Sequence, residues 1–143
     1  MRTFLITLCT FFGSLTCSAQ SFNVKHLVGT KWEDIQGEDE YASETLEFST
    51  TNITLTIRYK PVGSAVTLNN RYYLSDTIPS VFEDLKVGKN TSGKYLVYYV
   101  KKRNMLYYYT ITKLTDKILI MHHKKIPGTI GGPTATYEYR RVK

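Results

Sequence analysis

Between Asn52 and Lys60 the chain alternates without a slip: Ile53, Leu55, Ile57 and Tyr59 fall on one side, Thr54, Thr56, Arg58 and Lys60 on the other. A period of two belongs to a pleated strand with one face buried and one wet. The same reading predicts strands at Lys31 to Gln36, Thr45 to Ser49, Asn52 to Lys60, Ala65 to Ser75, Tyr95 to Lys101, Met105 to Lys113, Lys117 to Lys124 and Thr134 to Val142. No segment sustains the spacing of a long helix. All twelve tyrosines follow Gln20, and most fall inside these runs beside Val, Ile, Leu and Thr, residues that suit a half-buried pleated surface.

The connections are short. Thr50-Thr51, Pro61 to Ser64, Lys102-Arg103-Asn104 and Thr115-Asp116 are hairpin-sized, so strands adjacent in sequence are predicted to pair antiparallel. Two stretches carry helical signals. Ser80 with Glu83 has the form of a capping box, with Gly88 to stop the turn, and Asn23 to Leu27 is one turn long ahead of Gly29. Lys125 to Pro133, with Gly128, Gly131, Gly132 and Pro133, reads as a long hairpin loop. Eight antiparallel strands in simple order leave two exposed edges, and closing the sheet removes both. The expected fold is all-β: an eight-stranded antiparallel up-and-down barrel with one or two short helices. A barrel of this size is either filled by its own side chains or holds one small ligand.

The first nineteen residues stand apart from this pattern. Met1-Arg2, the apolar run Thr3 to Leu15 and the small residues before Gln20 have the form of a secretory signal peptide. The run is too short for a membrane helix, which needs about 20 residues. Residues 1–19 are therefore read as a leader, cleaved after Ala19, and residues 20–143 as one exported domain. Cys17 is the one candidate for a lipoprotein anchor, but Ser14-Leu15-Thr16 before it lacks the expected Leu-Ala-Gly-like order, so free periplasmic or secreted protein is the expectation. Both cysteines, Cys9 and Cys17, leave with the leader, which removes thiol chemistry, disulfides and cysteine-bound zinc from consideration.

Charge changes the picture little. Without Arg2 the chain has 18 basic and 12 acidic residues, a net +6, with seven of the acids between Glu33 and Glu47 and most of the bases after Phe48. A basic balance suits nucleic acid or an anionic surface. Export argues against nucleic acid, and solvated strand ends account for the charge. The glycines of Lys125 to Pro133 precede a strand, not the helix a phosphate loop needs. His122 and His123 are neighbours on one strand and point to opposite faces, with His26 distant, so no metal site is expected. Glu38-Asp39-Glu40 reads as a solvated turn without the ligand spacing of a calcium loop. Asn52-Ile53-Thr54 and Asn90-Thr91-Ser92 are formal glycosylation sequons, relevant only in a eukaryotic secretory pathway. No nucleophile, base and orienting group fall at strand-compatible spacings, so neither an enzyme nor a cofactor is expected.

Leu27-Val28-Gly29-Thr30-Lys31-Trp32 resembles the Gly-x-Trp opening of lipocalins, with two residues instead of one between Gly29 and Trp32. Ile111 to Leu119 and the closing Thr136-Tyr137-Glu138-Tyr139-Arg140-Arg141 are similar to small exported lipocalin-like domains of Bacteroidetes. The resemblance implies a calycin-type barrel that binds a small, often apolar molecule. It also implies that Gly29, Trp32 and Arg141 close the barrel, Arg141 lying over Trp32 as a cation–π contact worth about 0.5 to 2 kcal/mol. In the alternative that fatty-acid-binding barrels suggest, Arg141 points into the cavity and holds a ligand carboxylate.

Tyr72-Tyr73, Tyr98-Tyr99 and Tyr107-Tyr108-Tyr109 must place rings on both faces of their strands. Inward rings line a core or a pocket; outward ones support cross-strand packing or a partner surface. The candidate ligand-binding residues are Tyr72, Tyr107, Tyr109, Tyr137, Tyr139 and Arg141. The expected function is an exported, non-enzymatic barrel that binds a small hydrophobic or amphipathic ligand. The alternative is a filled barrel that meets a protein or envelope polymer through surface tyrosines and basic loops.

Overall fold

The computed structural model describes residues 20–35, 42–125 and 134–142. The expected leader over residues 1–19, the acidic run Glu38-Asp39-Glu40 and the glycines between 126 and 133 lie outside the described residues. The chain begins with a two-residue strand, β1 (Phe22–Asn23), and a 3-10 turn at Val24–His26. There follow β2 (Lys31–Asp34), β3 (Ala42–Phe48), β4 (Asn52–Tyr59), β5 (Ala65–Ser75), β6 (Ser92–Gly93), β7 (Tyr95–Val100), β8 (Met105–Leu114), β9 (Ile118–His123) and β10 (Ala135–Arg141). Eight of them close an antiparallel barrel in the order β2-β3-β4-β5-β7-β8-β9-β10, and β10 returns to β2 with Arg141 opposite Trp32 and Tyr139 opposite Asp34. The strands expected from alternation are all present. No helix among the described residues is long and apolar enough to cross a membrane.

Three local features lie outside the strand ladder, the first of them the single turn expected after Asn23. Both helical stretches are single 3-10 turns. At the second, Ser80 caps nothing and the turn forms later, at Asp84–Lys86. The reason is tertiary: Phe82 is drawn onto the barrel wall between Tyr73 (5.2 Å) and Tyr99 (5.4 Å), which leaves Glu83 non-helical, its backbone N–H donating to the Tyr73 hydroxyl. The third is a clip between β1 and β6, which pairs Phe22 with Gly93 and ties the N-terminus to the segment before β7. Only glycine fits there, since a Cβ would lie 2.0 Å from the Ser75 carbonyl carbon.

One end of the barrel is filled. Gly29, with φ +77°, turns the chain so that its N–H reaches Phe48 O (2.8 Å) while the Phe48 N–H reaches Thr30 O (3.0 Å). That pair of bonds aims Trp32 inward, where it is fully buried. Its indole N–H donates to Thr30 Oγ1 (2.6 Å), whose hydroxyl donates in turn to Leu27 O (2.5 Å). Phe22, Val24 and Leu27 cap this end against Phe48, Tyr72, Leu74, Leu96 and Leu119. Truncating a buried Trp of this kind to Ala costs about 3–5 kcal/mol.

Candidate functional site

The other end is hollow. Inward side chains line the barrel, but from Glu44, Leu55 and Tyr98 towards the mouth they stop short of meeting and leave a cavity of about 390 Å³. The mouth is the end at which β4 meets β5 and β7 meets β8. Its aliphatic wall is Leu46, Ile53, Leu55 and Leu68, from β3, β4 and β5.

The facing wall is aromatic. Cross-strand pairing sets Tyr98 directly opposite Tyr107, and the next inward residue on β8 is Tyr109. The three rings stack in series, Tyr107 to Tyr98 at 5.5 Å and 17°, Tyr98 to Tyr109 at 5.7 Å and 11°. Tyr137 meets Tyr109 edge-on at 5.8 Å, and His123 tilts against the same ring at 5.5 Å. Offset or edge-on rings at these spacings stabilise a sheet beyond their burial. Lys102 and Arg103, exposed on the 3-10 turn Lys101–Arg103, stand at the rim, where an Arg103 Nη1–H donates to the Tyr107 hydroxyl at 3.4 Å.

Among the described residues that line this space, Glu44 is the one carboxylate. Glu44 on β3 accepts a 2.5 Å hydrogen bond from the Tyr139 hydroxyl of β10. Burial pushes its pKa above the usual carboxylate value; the Tyr139 bond works the other way, and the nearby Asp34 charge adds to the rise. The register explains Asp34: it lies opposite Tyr139 on β10, whose hydroxyl reaches Glu44, one residue past the Glu33–Thr45 pair. Burial also raises the phenols, Tyr109 up to about 12 and Tyr98 and Tyr139 further. At neutral pH they are hydrogen-bonding hydroxyls, not bases.

Of the candidate ligand-binding residues, Tyr107, Tyr109, Tyr137 and Tyr139 line the cavity. Tyr72 does not. It packs edge-on to Phe48 in the filled end, its hydroxyl donating to Ser49 O (2.9 Å). Arg141 is also elsewhere: β10 runs from the mouth to the filled end, so its last residue is the cross-strand neighbour of Trp32, exposed beside Val28, Thr30 and Leu114. A ligand in the cavity is held without it. Gly29, Trp32 and Arg141 all lie at the filled end, Arg141 across from Trp32 in the β10–β2 pairing.

Glu44, Tyr98 and His123 line the cavity as well, beyond the candidates that the sequence offers. The alternation Glu44-Leu46-Phe48 marks Glu44 as inward once β3 is seen to begin at Ala42 and not at Thr45. His122 and His123 do face opposite sides: His123 is buried inside, and His122 bonds Thr136 Oγ1 (3.0 Å) outside. Among the described residues no three His, Cys, Asp or Glu gather as a metal site.

The outward tyrosines are largely occupied by the protein itself. Tyr73 and Tyr99 flank Phe82, while Tyr95 and Tyr108 meet edge-on at 5.9 Å. Lys86 and Lys94 cover Tyr73 and Tyr95 at 5.6 and 5.1 Å. Comparison with protein-family models, with curated proteins and with solved structures finds no match.

Proposed function

We propose that this chain is an exported, non-enzymatic, lipocalin-like barrel that binds one small hydrophobic or amphipathic molecule in its open end. The observation that carries the reading is the unequal filling of the barrel. Trp32, Phe48 and Tyr72 plug one end, whereas the other keeps about 390 Å³ between an aliphatic and a tyrosine wall. A volume of this order, apolar with a few convergent polar groups, is the usual form of a small-molecule site. The packing of the outward tyrosines under Phe82, Lys86 and Lys94 takes support from a partner-binding role for them.

Nile red, a neutral dye that brightens in apolar surroundings, tests the reading, with native mass spectrometry of the purified protein against fatty acids and bile acids. Leu55→Trp places bulk in the cavity from the aliphatic wall. Dye or ligand binding with micromolar affinity, weakened at least tenfold by that substitution, is the expected result. If nothing in the panel binds, or if Leu55→Trp binds as the parent does, the cavity is not a ligand site.

A further inference from the structure

We propose that the cavity prefers a ligand carrying a protonated amine on a flat or extended apolar body, seated with its ammonium against Glu44. The inference rests on the cavity being a ligand site, and deepens that reading to a chemical class. Among the described residues Glu44 is the carboxylate that lines the space, and it accepts a hydrogen bond from Tyr139. An ionised carboxylate has about four acceptor positions, so one phenol leaves room for the donors of an ammonium. Asp34 on β2, opposite Tyr139, is close enough for its charge to act on Glu44.

The surroundings suit a cation as well. Tyr109, Tyr137 and Tyr139 bring three ring systems to the walls beside Glu44. Aromatic faces attract cations, most strongly where water is excluded. The apolar body then has two surfaces: the stacked Tyr98 and Tyr107 on one side, Leu55 and Leu68 on the other. The competing attraction is the rim, where Lys102 and Arg103 favour an anion. Both are exposed, so their field is screened by water and salt, while the Glu44 charge acts from a desolvated wall.

Three probes of one shape separate these possibilities: 4-phenylbutylamine, 4-phenylbutan-1-ol and 4-phenylbutyrate, titrated calorimetrically at pH 7 with Nile red displacement in parallel. The amine is expected to bind at least tenfold more tightly than the alcohol, and the carboxylate more weakly than either. Glu44→Gln keeps an acceptor for Tyr139 and should bring the amine down to the affinity of the alcohol. Glu47→Gln, which removes a charge from the outer face of the same strand, should leave the order unchanged. Equal binding of amine and alcohol, a preference for the carboxylate, or an amine preference that survives Glu44→Gln overturns the inference. If Nile red binds and the amine is not preferred, only the choice of ligand class falls; if neither the dye nor any probe binds, the ligand-site reading falls with it.

Discussion

Glu44 joins folding and binding in one side chain. It sits on a strand whose neighbouring inward residues, Leu46 and Phe48, are core, and desolvation therefore disfavours its charged form. A carboxyl whose folded pKa is raised destabilises the fold only once ionised. The penalty is absent below the unfolded value near 4.5 and grows as pH rises through the folded value. Glu44→Gln should therefore melt above the parent at pH 7, with the gap closing towards pH 4. Melting curves across that range check this, and a variant less stable than the parent at pH 7 would show that the charge is held by more than Tyr139. The same curves show whether Glu44→Gln is folded in the amine titration. Trp32 is the opposite case, a residue whose polar atom is satisfied locally by Thr30 and whose bulk closes the barrel.

At the scale of elements, the segment between β5 and β7 decides what the outer wall of the barrel shows to solvent. Phe82 lies across Tyr73 and Tyr99, Arg71 pairs with Asp84 at 2.6 Å, and Lys86 pairs with Glu83 at 2.8 Å. The ion pairs are exposed and contribute little. The aromatic contacts carry the attachment, so Phe82→Ala should cost about 1–3 kcal/mol in denaturant unfolding. Because Phe82 is outside the barrel, Nile red binding should stay as in the parent, and loss of binding would mean that the two faces are coupled. The register of β7 and β8 has a similar reach inward. Opposing Tyr98 to Tyr107 builds the stacked wall, and a slip of one residue would send those rings to the outer face.

For the whole molecule, the proposed export makes a further prediction. Cleavage after Ala19 would leave β1 and its clip to β6 intact, since the clip begins at Phe22. Intact-mass measurement of protein exported by a Gram-negative host should match Gln20 to Lys143, with or without pyroglutamate. A mass that includes Cys17 and acyl chains would mean an anchored protein instead. The architecture was legible in the chain because side-chain direction in a strand depends only on neighbours. Ile53, Leu55 and Ile57 announce a strand by themselves, and short turns leave antiparallel neighbours as the simple outcome. By itself the sequence determined the eight strands, their order and the opposite facing of His122 and His123, while which tyrosines turn inward stayed open. Only the tertiary structure decided that one end is plugged and the other hollow, that Tyr72 and Arg141 belong to the plugged end, and that Glu44 meets Tyr139 across ninety-five residues of chain. Those outcomes depend on closure: how far β10 slides along β2 as the barrel shuts sets which side chains share a level, and no local pattern carries that offset.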